Sequence, residues 1–139
     1  MSWRPELLTG DDTIDAQHRA LLEGVERFFA VLASGDREAA RAGLAALHAA
    51  FLEHTAHEEH LMAVTRYPLA VTHKAGHASV FRQVRWLEAE IEVGEGVEQL
   101  IATARRLLSD YIEQHVAGTD RALVTWISRR RGDAIRKVG

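Results

Sequence analysis

The chain carries histidine and carboxylate side chains at helical positions where buried leucines would be expected. The run HTAHEEH, residues 54–60, is the densest group, and further histidines recur before and after it. Burying so many ionisable groups is costly unless they pair with one another or bind a metal. Imidazole is a common ligand of transition-metal ions. The pattern therefore predicts a metal site, with six first candidates: His18, His54, Glu58, His73, His77 and His115.

Glycine and proline divide the chain into four segments that must position these side chains. The breaks are predicted at 33–36, 66–68 and 92–97. Between them apolar residues recur at steps of three and four, which is typical of amphipathic helices. The four stripes are Ile14, His18, Leu21, Val25, Phe28 and Leu32; Leu44, Leu47, Phe51, His54, Glu58 and Leu61; His73, His77, Val80, Val84, Leu87 and Ile91; Val97, Ile101, Ala104, Leu108, Tyr111 and His115.

Four long helices with short connections favour an all-α fold, the antiparallel up-down-up-down four-helix bundle. We expect one domain over 1–139, with a short N-terminal arm at 1–12 and a basic C-terminal tail at 128–139. The candidate ligands stand near the start of the first and third helices and near the end of the second and fourth. In this topology those positions share one end of the bundle, within one or two turns at about 1.5 Å per residue. Connectivity and spacing therefore predict a single site.

A second carboxylate, Asp120, reaches this site only if the fourth helix changes register. Asp120 follows His115 by five residues, which on a regular helix is about 140° away. An unbroken stripe would bury Gly118, Ala122 and Thr125. A shift by one residue buries a better core set, namely Asp120, Leu123 and Ile127. We therefore predict a π-type bulge or kink between His115 and Asp120, eased by Gly118.

The ordered set of motifs resembles the hemerythrins, in particular the bacterial single-domain members, the bacteriohemerythrins. The matching stretches are IDAQHRAL (14–21), HTAHEEHLM (54–62), YPLAVTHKAGH (67–77) and HVAGTD (115–120). The family pattern is an isolated His, then His-x3-Glu, His-x3-His and His-x4-Asp. All seven positions are filled here, and the resemblance covers about residues 3 to 127.

The resemblance implies two iron ions, Fe2+ or Fe3+, joined by a bridging oxo or hydroxo group. One iron would be held by His73, His77 and His115, and the other by His18 and His54, with Glu58 and Asp120 bridging the two. The implied function is reversible O2 binding as a carrier, store or sensor, rather than catalysis. Candidates for an apolar O2 pocket, each within a turn of a ligand, are Phe51, Leu61, Ile112 and Val116.

The sequence departs from the family pattern around this pocket. Thr55 and Val80 stand where phenylalanine is common, and Tyr111 stands where tryptophan is frequent. Smaller or more polar residues could admit water and shorten the lifetime of an oxygenated form. These departures leave open an alternative function, a di-iron redox enzyme or sensor acting on peroxide or NO.

The side chains next to the ligands have simpler interpretations. His57 is expected to be exposed or to lie behind the ligands, His60 and His48 to face solvent or a helix seam, and Glu59 to point elsewhere on its helix. Two further residues, Asp15 and Gln17, could orient ligand imidazoles through their outer N–H groups, or could serve in helix capping and solvation.

The composition argues against several other classes of protein and of functional site. The net charge of −3 argues against broad nucleic-acid binding, and the absence of cysteine excludes disulfides, thiolate metal sites and cysteine nucleophiles. No apolar stretch is long enough to span a membrane or to resemble a signal peptide. We expect a cytoplasmic protein whose partner is O2, with neither nucleic acid nor membrane, and with a protein partner if it is a sensor.

Overall fold

The computed structural model describes residues 3–94 and 96–138, and it forms an all-α four-helix bundle, as the sequence predicted. Helices α1 (Asp12–Ala33), α2 (Arg37–Thr65) and α3 (Ala70–Val93) form three of its rods. The fourth rod is continuous: it consists of α4 (Val97–Tyr111), a π-helical segment (Ile112–Asp120) and α5 (Arg121–Val138). A 3-10 turn at Pro5–Leu7 precedes α1. No strand occurs within the described ranges.

The helices begin and end where local chemistry favours it. The Asp11 carboxylate accepts a hydrogen bond from the Ile14 amide at 2.9 Å and so caps α1. Asp36 caps α2 in the same way, through the Ala39 amide at 3.0 Å. Helix α3 stops at Gly94, whose φ of 72° is a left-handed conformation that glycine adopts without steric cost. The predicted breaks therefore coincide with the three connections.

The predicted stripes are buried along α1 and α3, whereas one predicted core residue on each of α2 and α4 lies outside the core. On α4, Val97 was expected in the core but is 36% exposed, while Leu100 is 7% exposed. Val97 is the first residue of its helix, at the rim of the bundle, so the buried stripe begins one turn later with Leu100. On α2, Leu61 is only partly buried and its neighbour Met62 takes the core position.

The predicted register slip is confirmed. Residues 112–120 form a π-helix, in which i→i+5 hydrogen bonds accommodate one extra residue per turn. As a result, Leu123 and Ile127 are buried while Thr125 is exposed. Gly118 is exposed, and a Cβ added there would meet no atom within 4 Å, so nothing in the packing requires glycine at this position.

The N-terminal arm is fastened over the π segment. Leu7 is 1% exposed and belongs to the main apolar core. The Arg121 guanidinium donates to the Leu8 carbonyl at 3.1 Å, and Arg4 pairs with Glu113. The arm therefore covers the part of the fourth rod where the helix is irregular.

The basic stretch after residue 128 continues α5 as helix to Val138. Its arginines at 129, 130 and 131 are exposed. Among the described residues, no helix combines the length and apolarity needed to cross a membrane.

Candidate metal centre

The seven side chains named from the sequence meet in one buried cluster. Each is at most 5% exposed. Their ligand atoms form two overlapping groups, and within each group all atoms lie within 4.8 Å of one another. The larger group contains Glu58, His73, His77, His115 and Asp120, and the smaller contains His18, His54, Glu58 and Asp120.

Glu58 lies at the boundary between the two groups. Its Oε1 lies 3.0 Å from His77 Nε2 and 3.2 Å from His73 Nε2, both in the larger group. The same oxygen lies 3.4 Å from His54 Nε2 in the smaller group. Because one carboxylate contacts imidazoles of both groups, its placement suits a bridge between two cations.

Asp120 occupies the corresponding place on the fourth rod. Its Oδ2 lies 2.8 Å from His18 Nε2, while its Oδ1 lies 2.9 Å from His115 Nε2 and 3.2 Å from His73 Nε2. The π segment makes this possible, since His115 and Asp120 both face inward despite a spacing of five residues. The irregular backbone therefore serves the site directly.

Several inward-facing atoms of the cluster have no hydrogen-bond partner within the described residues: Glu58 Oε2, Asp120 Oδ1 and His115 Nε2. Asp120 Oδ1 and His115 Nε2 lie 2.9 Å apart without forming a hydrogen bond, as two ligands of one ion would. Unpartnered buried polar atoms are rare and costly. The donor set therefore fits a pair of cations, and imidazole with carboxylate is a combination that suits iron.

The electrostatics of the cluster keep both carboxylates ionised, which is the form that binds a cation. Burial alone would raise the pKa of the Asp120 carboxyl, but the surrounding imidazoles outweigh it and hold that pKa well below its usual range. The same balance lowers the pKa of Glu58 through His73 and His77. Burial would lower the pKa of His73, yet Asp120 and Glu58 raise it to about 9. Because a ligating imidazole must be neutral, a cation that binds here displaces the proton of His73.

Two outer contacts hold imidazoles of the cluster from behind. His54 Nδ1 donates to Gln17 Oε1 at 2.7 Å, the orienting role that the sequence suggested for Gln17. Glu59, expected to point away, instead places its Oε2 3.6 Å from His77 Nδ1. The rotation of α2 relative to α3 brings Glu59 to this position. Residue spacing along α2 does not encode that rotation.

Asp15 takes the alternative role, in capping. Its carboxylate accepts hydrogen bonds from the Thr9 amide at 2.9 Å, the Thr9 hydroxyl at 2.7 Å and the Gly10 amide at 3.3 Å. These contacts fold the end of the arm onto the first turn of α1. Asp15 therefore fixes the backbone just before α1, rather than orienting a ligand imidazole.

Gly76 is a residue that sequence reasoning missed. A Cβ at this position would lie 2.8 Å from His115 Nδ1 and 3.0 Å from its Cε1, closer than real Cβ atoms approach. The absent side chain therefore makes room for the His115 imidazole against α3. The available signal was a glycine inside a helical pattern, directly before the candidate ligand His77.

The other histidines of α2 stay outside the cluster, as expected. His60 is exposed and His57 is partly buried. His48 lies at the seam with α3, where its ring contacts Phe81 and its Nδ1 is 3.5 Å from Glu88.

A small, nearly closed cavity adjoins the smaller group of ligands. It is lined by His18, Leu21, Leu22, Phe51, His54, Tyr111, Ile112 and Val116. The volume open to the centre of a water-sized molecule is about 10 Å³, close to the minimum that holds one such molecule. Apart from the two histidines and Tyr111, the walls are aliphatic or aromatic, so they offer few hydrogen-bond partners to a water molecule.

Three of the four pocket candidates line this cavity: Phe51, Ile112 and Val116. Leu61 does not, because it packs against a second apolar cluster that contains Met62, Tyr67, Leu123 and Ile127. Tyr111, singled out from the sequence as a departure near the pocket, also lines it. Sequence reasoning did not include Leu21 or Leu22, although each lies three or four residues from His18, the spacing that shares a helix face.

The departures from the family pattern have distinct structural consequences. Thr55 is buried, but its hydroxyl donates to the Leu52 carbonyl of its own helix at 3.2 Å, so it brings no free polar group to the site. Val80 is fully buried in the core. Tyr111 stacks on His115 with ring centroids 4.8 Å apart, and its buried hydroxyl has no hydrogen-bond partner in the described part of the chain.

Comparison with known proteins agrees with this geometry. Residues 9–127 match the family model described as the hemerythrin HHE cation binding domain. A bacteriohemerythrin of Stenotrophomonas maltophilia is 28% identical over 86% of this chain and 76% of its own length. Another, from Ralstonia nicotianae, is 28% identical over 96% of this chain and 93% of its own. A third, from Pseudomonas aeruginosa, is 25% identical over 96% and 86% of the two chains. With these matches across most of its length and a buried histidine–carboxylate cluster in a four-helix bundle, the chain belongs to the hemerythrin family.

Proposed function

We propose that this protein binds O2 reversibly at a pair of iron ions, for carriage, storage or sensing. His73, His77 and His115 would hold one iron, His18 and His54 the other, and Glu58 and Asp120 would contact both. Iron(II) bound there would supply the electrons that O2 takes up and returns. The observation that carries the proposal is the small apolar cavity, which adjoins the group with fewer protein ligands.

The chain's own residues select and protect the guest. Phe51, Ile112 and Val116 surround the space with apolar surface, which disfavours water and hydrated ions. The volume limits the guest to a very small molecule. Gln17 keeps the proton of His54 on Nδ1, so that Nε2 presents its lone pair to the interior. Reversible binding requires ligands that are held in a fixed orientation and a cavity that excludes water, which would supply protons.

The charges of the donor set also suit the proposal. Two carboxylates supply two negative charges, and five neutral imidazoles supply none, so the seven side chains offset half the charge of two Fe(II) ions. The site therefore keeps a positive charge, which stabilises the negative charge that a guest acquires when it is reduced there. Because the cluster is almost completely buried, salt screens this stabilisation only weakly.

An anaerobic reconstitution tests this function. We expect metal-free protein to bind two Fe(II) per chain under argon, to develop a visible absorption band on exposure to air, and to lose that band when argon returns. The measurement is the visible spectrum through repeated cycles, with iron quantified in parallel. Zinc-loaded protein is the control, since zinc has no redox chemistry. A band that persists unchanged under argon after the first exposure would contradict reversible binding.

The position of Tyr111 favours the second candidate function, which is redox chemistry on peroxide or NO. Its phenol is an oxidisable proton donor that has no hydrogen-bond partner among the described residues, and the residue lines the cavity. In a protein that only carries O2, such a group shortens the lifetime of the oxygenated form. In a redox protein it serves as a source of a proton and an electron.

For this reason we expect Tyr111→Phe to slow the spontaneous decay of the oxygenated protein by about tenfold. A positioned acid typically speeds a reaction by about 100-fold or more, so tenfold is a modest share of that effect. The measurement is the decay of the visible band in air. Tyr67→Phe is the matched control, because Tyr67 is equally buried and also contacts a ligand ring, that of His73, but is not among the residues that line the cavity. Unchanged decay in Tyr111→Phe would remove Tyr111 from the chemistry. Steady peroxide consumption by the unmodified protein, abolished in Tyr111→Phe, would establish the second function instead.

A further inference from the structure

We infer that Glu59 and Gln17 make the two metal positions electronically unequal, because a charged carboxylate backs His77 while a neutral amide backs His54. The inference rests on the proposed pair of metals and assigns each of these two side chains a role as a positioning residue. Neither side chain contacts the interior of the cluster. Each acts through one imidazole.

The contact at the smaller group is a neutral hydrogen bond. His54 is 2% exposed, and its Nδ1 donates to Gln17 Oε1 at 2.7 Å. The amide oxygen carries no net charge, so it fixes the tautomer and the ring plane of His54. It adds little electron density to Nε2.

The contact at the larger group is with a charged side chain. Glu59 Oε2 lies 3.6 Å from His77 Nδ1, at an electrostatic distance rather than that of a full hydrogen bond. That nitrogen is buried and forms no hydrogen bond within the described residues, so its identified polar neighbour is the Glu59 carboxylate. The side chain of Glu59 is 38% exposed, which keeps the carboxylate in contact with solvent.

The three remaining imidazoles provide the contrast. The Nδ1 of His115 lies against Gly76, which has no side chain. His18 Nδ1 and His73 Nδ1 are buried and have no hydrogen-bond partner in the described part of the chain. Each group therefore has one imidazole with an identified polar side chain behind it, and the two side chains differ in charge. A carboxylate behind a ligating imidazole raises its basicity. The larger group should therefore favour Fe3+ over Fe2+ more strongly than the smaller group, which borders the cavity.

Isosteric exchanges test the inference. Glu59→Gln removes the charge with little change of shape, and Gln17→Glu introduces one behind His54. In spectroelectrochemical titration of iron-loaded protein, we expect Glu59→Gln to lower the Fe3+ preference of one position by about tenfold, or about 60 mV. Gln17→Glu should raise the preference of the other position by a similar factor. The double exchange should then change the relative preference of the two positions by about 100-fold, the product of the two single effects.

Glu23→Gln is the matched control, since Glu23 is an exposed glutamate of α1 and its exchange changes the net charge equally. A shift of the same size in Glu23→Gln would reduce the effect to net charge and overturn the inference. Equal potentials in Glu59→Gln and the unmodified protein would overturn it as well.

A metal-free measurement separates this inference from the proposed function. In nitrogen-15 spectra of the histidine rings, without any metal, Glu59→Gln should shift the Nδ1 resonance of His77 and leave that of His54 in place. Gln17→Glu should do the converse. An unchanged His77 resonance would overturn the inference whether or not iron and O2 bind. Failure to take up O2, with both shifts present, would count against the proposed function alone.

Discussion

Replacing Asp120 by asparagine should abolish binding of two metals per chain. Asp120 is fully buried, and its two oxygens lie within 3.2 Å of His18, His73 and His115, which belong to different groups of the cluster. Asparagine keeps the shape but removes the negative charge and one acceptor oxygen. Since loss of a group that merely supports a ligand already costs 10- to 100-fold in metal affinity, we expect a loss of about 100-fold or more for at least one position.

The same substitution should also weaken the metal-free fold. The ionised Asp120 is paired with protonated imidazole in the absence of metal, because the pKa of His73 is raised to about 9. Removing one partner of a buried ion pair costs about 3–5 kcal/mol, since the other charge stays buried. Calorimetric titration with Fe(II) under argon measures the first effect, and urea unfolding of metal-free protein measures the second.

Asp110→Asn is the control for both measurements, because Asp110 is an exposed aspartate on the same rod. We expect it to leave metal affinity unchanged and stability within about 0.5 kcal/mol. Two metals bound by Asp120→Asn with unaltered affinity would show that the carboxylate does not contribute to the site.

Replacing Gly76 by alanine should displace the His115 imidazole and disrupt the larger group. The new Cβ would lie 2.8 Å from His115 Nδ1, and the ring is also stacked on Tyr111, which limits its movement. Alanine is otherwise favoured in a helix by about 0.5–1 kcal/mol, so the local helix itself should not be weakened. We therefore expect a folded protein whose affinity for the metal at the larger group falls by about 10- to 100-fold.

Gly118→Ala provides the matched control, because a Cβ at that position meets no atom within 4 Å. It should leave both metal affinities unchanged. Metal stoichiometry and far-ultraviolet circular dichroism of the two variants distinguish displacement of one ligand from general unfolding. Equal metal binding in Gly76→Ala and Gly118→Ala would show that the close approach to His115 is unimportant.

The two predictions share a physical basis. A cluster of buried ionisable groups is a poor core, and it persists because the rest of the bundle holds it in place. The apolar side chains of α1 and α3 form regular buried stripes next to the site, and the arm covers the π segment. Metal binding should therefore raise the stability of the whole chain, as any ligand of the folded state does.

The sequence determined the fold, the level of each candidate ligand and the register slip before Asp120. These features follow from local periodicity: a helix repeats every 3.6 residues, and the apolar pattern after His115 fits only with one residue inserted. Tertiary structure decided the rest. The contact of Glu59 with His77, the room that Gly76 leaves for His115 and the place of Leu61 outside the cavity depend on how one helix is rotated and how closely it approaches another. Spacing along a single helix carries no information on either quantity, because both are set by packing between helices that are distant in sequence.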